Sequence, residues 1–268
     1  VQSSLAELVS ARIVPPPEDF GQCQTSRLDR GSRLAPSKSI GQVRLIQPYR
    51  TENGMPEDIA DTADLFEIIR TTRSMRRLKP DPVPNELIRK ILEAGVCAPS
   101  GGNMQRWRFL VIRDAQIKKT VGAFYKRAWD EQVGPRYRSG GPAPGMSQER
   151  FLRLLDAAEY LAAHIHEAPV WIVPCLEGAN PTRTSGSSIY PAVQNMLLAA
   201  RALGLGATLT TLYLAFEKEA EAALGLPAGA HSYALLPIGY PMGRFGPVRR
   251  ISLGEVAFED KWGQPYQD

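Results

Sequence analysis

Cysteine and histidine are scarce, three of each in 268 residues. Cys23, Cys97 and Cys175 are odd in number and far apart, which argues against a disulfide framework and supplies no ligand pair at zinc-site spacing. A reducing, cytoplasmic compartment is therefore expected, with no metal. Long apolar runs are missing as well. The uncharged stretches on either side of Arg201 are diluted by Gly, Pro, Ser, Thr, Asn and Gln, so none reads as a bilayer span and no membrane partner is expected. Nor is there a block of one charge sign. The 32 basic and 28 acidic residues interleave to a formal net charge of +4, unlike the basic arms that bind nucleic acid, so no nucleic-acid partner is expected. What the chain does have is apolar content. Its 43% of hydrophobic residues, over a length that suits one large domain or two small ones, can supply a substantial core.

Residues 1–55 differ in texture from the rest. "RIVPPPEDFGQCQTSRLDRGSRLAPSKSIGQVRLIQPYRTENG" is rich in Pro, Ser and Arg and keeps neither a helical nor a strand period, which predicts an extension that wraps a surface or stays mobile. Only "SSLAELVSARI" offers a short helix. Residues 30–51 hold arginines and no acid, so an organelle transit segment and a leader preceding Met55 are the other readings. Residues 56–268 read as one domain. Helices are predicted for "DTADLFEIIRTTRS", for "NELIRKILEAGV" with Leu87, Ile88, Ile91, Leu92 and Val96 on one face, and for "IKKTVGAFYKRAWDEQV", "SQERFLRLLDAAEYLAAHIHEA", "SSIYPAVQNMLLAARALGLGA" and "EKEAEAALGLP". "RWRFLVIRD" and "PVWIVPCL" show little alternation and are predicted as strands buried on both faces. "TLTTLYL" and "SYALLPIGYP" complete the strands, and "GPRYRSGGPAPGM" reads as a flexible loop.

Two stretches stand out chemically. In "TTRSMRRLKPD", Arg73, Ser74 and Arg76 fall within one turn at the end of a predicted helix, where two guanidiniums and a hydroxyl could converge on a phosphate. The same residues also suit a solvated helix end, where cations favour the macrodipole. In "CAPSGGNMQRW", Ser100, Gly101 and Gly102 leave amides accessible, glycine lets a flat ring approach the main chain, and the Asn103 carboxamide can both donate and accept. An ordinary helix cap and turn is the competing reading.

Taken together, "TRSMRRLKPDPVPNELIRKILEAGVCAPSGGNMQRWRFLVIRD" resembles the opening signature of the flavin-dependent nitroreductase family, an Arg-Ser-x-Arg element followed by a helix and Pro-Ser-Gly-x-Asn-x-Gln-x-Trp. "SSIYPAVQNMLLAARALGLGATLTTLY", "LLPIGYP" and "VRRISL" follow in the family's order, so the likeness runs from about residue 62 to 263. The resemblance implies an α+β fold with a central, mainly antiparallel sheet flanked by helices, in an intertwined homodimer with FMN at the interface. It implies that Arg73, Ser74 and Arg76 hold the phosphate and ribityl chain, with Arg250 as a second phosphate-binding arginine. Pro99, Ser100, Gly101 and Asn103 match the segment along the isoalloxazine, and Thr210 and Thr211 the strand beside its N5 edge. The chain departs from the pattern at Thr72, where many relatives have arginine, and at Arg106, where proline is usual.

What the resemblance implies for chemistry is an NADH- or NADPH-driven, ping-pong reduction of a small nitroaromatic or quinone-like acceptor. FMN carries the electrons, so no catalytic side chain is expected beyond tuning of N5 by Thr210 and Thr211. Tyr125, Trp129 and Tyr137, with Arg136 and Arg138, are the candidate substrate lid around the Gly/Pro loop. Iodotyrosine deiodinase shares the superfamily, and "TLTTLY" resembles its Thr-rich flavin strand, so reductive dehalogenation is one alternative; a flavin-fragmenting oxidation is another. A cofactor-free module binding a phosphorylated or nucleic-acid partner is a third. His164, His166 and His231 read as structural or surface residues, and Cys97 as a small thiol. "LGLGA" follows a helix and lacks the strand-turn-helix context of a dinucleotide fingerprint.

Overall fold

The strand Val170–Glu177 is buried along nearly its whole length. Its side chains alternate between two cores: Trp171, Val173 and Cys175 face one, Val170 and Ile172 the other. This is why "PVWIVPCL" shows no polar alternation. The structure is a computed structural model and describes residues 64–178 and 181–266. The expected extension 1–55, its short helix and Cys23 lie outside the described residues.

In chain order the elements are α1 (Leu65–Thr71), α2 (Asn85–Val96), β1 (Trp107–Ile112), α3 (Ala115–Ala128), α4 (Gly134–Gly140), α5 (Gln148–His164), β2 (Val170–Glu177), α6 (Arg183–Ala202), β3 (Gly206–Ala207), α7 (Glu217–Ala223), β4 (Ala230–Ser232) and β5 (Leu236–Gly239). The sheet runs β1-β2-β5-β3, with β4 also on β2, and every pairing between these strands is antiparallel. The register of β1 on β2 runs from Trp107 opposite Leu176 to Ile112 opposite Trp171.

One face of the sheet is covered by α2 and α6. Ile88 and Ile91 of α2 meet Val193, Met196 and Ala200 of α6 over Val170 and Ile172. Their approach needs a residue without a side chain, since a Cβ at Gly95 would lie 3.0 Å from Met196 Cγ. Asn195 Nδ2 also donates to Ala94 O at 3.1 Å, locking the pair. The opposite face is covered by α3, α5 and α7, whose Val121, Tyr125, Leu161 and Ala220 pack on Trp171 and Val173. Two helical layers on one antiparallel sheet give the α+β class expected from the sequence.

Four local expectations are corrected. β1 is an edge strand rather than one buried on both faces: Val111 is 37% exposed, and Arg108 is exposed and pairs with Glu177. The segment read as a loop begins as helix α4, because Pro135 sits in its first turn, where its fixed φ suits helix initiation. That helix stops at Gly141, whose φ of 66° is open to glycine at no steric cost. "TLTTLYL" is not a strand: Thr210 makes a single bridge to Leu235, after which Leu212–Phe216 winds into a 3-10 turn that buries Tyr213. "SYALLPIGYP" is divided between β4 and β5, both paired to β2. Between α3 and α4, Trp129–Val133 forms a π-helical turn. Among the described residues no helix is long and apolar enough to cross a membrane.

Candidate flavin site

α1 ends at Thr71. The Thr71 and Thr72 hydroxyls donate back to Glu67 O and Ile68 O, and the chain continues as extended backbone. The basic cluster is therefore not one turn of helix, as expected, but a ribbon laid along the sheet. Met75 N–H donates to Ala207 O, Lys79 N–H to Tyr240 O, and Met242 N–H to Arg77 O. Met75 and Leu78 point into the core, while Arg73, Ser74 and Arg76 remain accessible. The C-terminal segment comes alongside: Val248 N–H donates to Arg70 O at 2.9 Å, which brings Arg250 to the same place.

Arg73, Ser74, Val248 and Arg250 form a wall between two clefts. The first, about 580 Å³, is completed by Gln194, Leu197 and Arg201 of α6 and by Thr208, Leu209 and Phe245. Arg201 stacks its guanidinium 4.2 Å from the centre of the Phe245 ring and donates Nε–H to Thr71 Oγ1. The second cleft, about 550 Å³, adds Arg76 and the face of α5 bearing Arg150 and Arg153. Arg76 thus lines the second cleft and not the first. Arg73, Arg76 and Arg250 have no carboxylate partner among the described residues. Unpaired guanidiniums beside a hydroxyl are the donor set a phosphate takes up by charge-assisted hydrogen bonds.

The second stretch lies elsewhere on the chain. Residues 99–103 leave α2 and turn back into β1, with Gly102, Asn103 and Gln105 all left-handed at φ of 57°, 52° and 50°. Two non-glycine residues in that region so close together store backbone strain of the kind that marks ligand-clamping segments. The loop is braced internally. Ser100 Oγ accepts from Gln105 N–H, and Gln105 Nε2 donates to Asn103 Oδ1, each at 3.0 Å. The Gly101 amide, expected to be bare, donates to Ser188 Oγ of α6 at 3.0 Å. Ser100, Gly101, Met104, Gln105, Ser185 and Ser188 line a third cleft of about 250 Å³. Pro99, just before Ser100, is exposed. Within one chain the arginine wall and this loop line separate clefts.

Thr210 turns inward. It is buried, and its hydroxyl donates to the Tyr125 hydroxyl at 2.9 Å. Burial in turn pushes the Tyr125 pKa above the usual phenol range. Thr211 only begins the 3-10 turn. Thr208, two residues earlier, lines the first cleft, and sequence reading missed it although it belongs to the same "TLTT" run. The lid expectation is corrected for Tyr125 and Trp129. Both are 3% exposed, because Val121, Tyr125 and Trp129 recur at helical spacing toward the core. Tyr137 is the exposed aromatic, stacked on Trp129 with ring centres 6.2 Å apart. Arg138 beside it pairs with Glu159 at 2.8 Å, and Arg136 is exposed.

His164 stacks on Tyr160 and meets Glu167, and His231 faces Glu217 and Glu221, so neither borders the arginine wall. Cys97 is exposed and free, and Cys175 is buried.

The chain is similar in sequence and fold to known proteins. The Nitroreductase family model matches residues 69–240. A Thermus thermophilus NADH dehydrogenase is 32% identical over 205 residues, covering 69% of this chain and 90% of that protein. The zebrafish (Danio rerio) iodotyrosine deiodinase is 26% identical over 199 residues, covering 72% and 66%. Among solved structures, a nitroreductase in complex with FMN from Desulfovibrio desulfuricans superposes with a TM-score of 0.55 at 29% identity, over 74% of this chain and 97% of that one. The strand order, the paired helical layers and the match across most of the described domain lead to one assignment: the chain belongs to the nitroreductase family and is a flavin oxidoreductase.

Proposed function

We propose that this chain binds FMN and, as a homodimer, passes reducing equivalents from NADH or NADPH to a small aromatic acceptor of the nitroaromatic or quinone type. The observation that carries this reading is the meeting of Arg73 and Ser74 with Arg250 on one wall, from opposite ends of the domain, without a carboxylate lining either adjoining cleft among the described residues. FMN supplies the redox chemistry; the protein supplies a phosphate grip and a shaped surface. Arg73, Ser74 and Arg250 hold the phosphate, with Arg76 beside them. Pro99, Ser100, Gly101 and Asn103 present a strained, side-chain-poor surface against which a planar ring can pack. Thr208 borders the first cleft as a buried residue whose hydroxyl donates to Leu209 O. Thr210 acts at one remove, by fixing the backbone that carries Thr208.

Separation of the wall and the loop within one chain supports the dimer: the loop of one copy completes the wall of the other. Apolar surface supports it too. α1 exposes Leu65, Phe66 and Ile69, and the C-terminal segment exposes Ile251, Leu253, Val256 and Trp262, the last at 91%. Such apolar patches on a folded chain mark an association surface. The ping-pong order follows from a shared open flavin face, which the reductant must leave before the acceptor enters.

The visible absorption spectrum of the purified protein tests the reading. A flavin spectrum whose extracted pigment is FMN, bleached by NADH or NADPH and restored by a nitrofuran or quinone, is the expected result. Colourless protein that takes up no FMN ends it. Turnover of halotyrosines in place of nitrofurans would move the assignment to reductive dehalogenation.

A further inference from the structure

The first turn of a helix disfavours cations, because its unsatisfied N–H groups carry partial positive charge. α5 begins as that rule prefers, with Ser147 as its cap and Glu149 in its first turn, yet Arg150 and Arg153 follow at once. Helix electrostatics does not account for Arg150, whereas Arg153 lies past the first turn and is matched by Glu149 four residues before it. The two arginines stand one turn apart, and Leu154 and Ala157 continue the same face, which forms one side of the 550 Å³ cleft. Arg73, Arg76, Arg249 and Arg250 border the same cleft. Six guanidiniums therefore surround one cavity that has no carboxylate in its lining among the described residues. Only Arg153 has an acidic partner among the described residues, Glu149 at 2.7 Å, and both side chains are largely exposed.

Gathering like charges in one cleft opposes folding unless an anion joins them. One FMN phosphate does not suffice, since a phosphomonoester carries about two negative charges. With Arg73, Arg76 and Arg250 at the FMN phosphate, Arg150 and Arg249 line the cleft without an acidic partner among the described residues, and Arg153 has only the exposed Glu149. The cleft volume is that of a small-molecule site.

The geometry points to a second phosphomonoester held by Arg150, Arg153 and Arg249 beside the flavin site. Resting on the FMN reading above, it identifies the reductant, because NADPH carries such a group on its ribose and NADH does not. The arginines of α5 thus select NADPH.

Two measurements on the flavin-loaded protein test this. NADP+ and NAD+, which differ only in that phosphate, are titrated by calorimetry; NADPH and NADH are compared as reductants with a neutral quinone. NADP+ is expected to bind about tenfold or more tightly than NAD+, and kcat/KM to favour NADPH by a similar factor that shrinks as salt is raised. In R150Q/R153Q the NADPH-to-NADH ratio of kcat/KM falls about tenfold through KM, and R150K/R153K, which keeps the charge, retains part of the preference. Equal binding of NADP+ and NAD+, or an unchanged ratio in a folded R150Q/R153Q protein, overturns the assignment. So does a protein that separates nitrobenzoate from nitrobenzene but not NADPH from NADH, which gives the arginines to the acceptor instead. Protein that takes up no flavin defeats the functional reading, and the NADP+ and NAD+ titration repeated on that protein decides this one separately, equal binding overturning the phosphate site.

Discussion

Arg73, Ser74 and Arg250 stand on segments tied to their neighbours through main-chain hydrogen bonds, and apart from the Arg250 Nη1 bond to Arg249 O their side chains line the clefts without a carboxylate partner among the described residues. Residues 100–105 do the reverse: the backbone is left-handed at three positions, and its side chains are spent on bracing the loop itself. One region offers charge on an unstrained frame, and the other offers shape at the expense of strain. The difference teaches that recognition of a nucleotide-like cofactor can be divided between surfaces with opposite energetics. In the function proposed above, the charged surface governs affinity and responds to salt, and the strained one governs how closely a flat ring can lie and responds to backbone substitutions.

Breaking the charged half has the largest expected effect. R73A/R250A removes the donors of at least two charge-assisted bonds, each about 1.5–3 kcal/mol, so FMN affinity falls roughly a hundredfold or more. Fluorescence titration of the apoprotein measures it; wild-type affinity in a folded double variant would strip both residues of the role. The strained half is tested by Gly102→Val. A β-branched residue at a φ of 57° costs about 1–2 kcal/mol, so the thermal midpoint drops and FMN binding weakens less than in the arginine variant. A midpoint equal to wild type would mean that the loop relaxes without penalty.

The smallest effect comes from a group in neither region. Burial raises the Cys175 thiol pKa from its ordinary 9.0 to about 12. The folded thiol therefore keeps its proton where the unfolded one has lost it. Its contribution to stability is complete below pH 9 and is lost as pH rises toward 12. Urea unfolding across that alkaline window should show a steeper decline in wild type than in Cys175→Ala, whichever is more stable at neutral pH. Parallel declines would show that the thiol does not titrate with unfolding.

The layered fold was legible because helical periodicity survives in most segments. Leu87, Ile88, Ile91 and Leu92 mark the buried face of α2, and the unbroken apolar run of β2 marks a strand covered on both sides. β1 misled because its apolar residues are as dense as those of β2 although it lies at an edge, where pairing rather than burial decides its place. The arginine wall was legible in composition but not in conformation. Arginines announce an anion, but the extended course of residues 72–78 follows from hydrogen bonds to Ala207 and Tyr240, which are remote in sequence. Thr208 and Thr210 could not be told apart in the sequence, because neighbouring threonines look alike until tertiary packing turns one toward Tyr125 and sets the other in the lining of the first cleft. Arg150 and Arg153 escaped notice because alternating charges on an amphipathic helix look like ordinary solvated surface.

The π-helical turn at Trp129–Val133 holds Gly134 so close that a Cβ there would lie 2.9 Å from Trp129 O. A π-turn accommodates one residue more than an α-turn, so it rotates everything downstream by about 100° relative to an uninterrupted helix. Deleting a single residue here would restore the ordinary ladder and swing Tyr137 away from the Trp129 ring and Arg138 away from Glu159. This turn is an indexing joint: a one-residue length change re-aims the α4 surface while leaving the sheet and its arginine wall untouched.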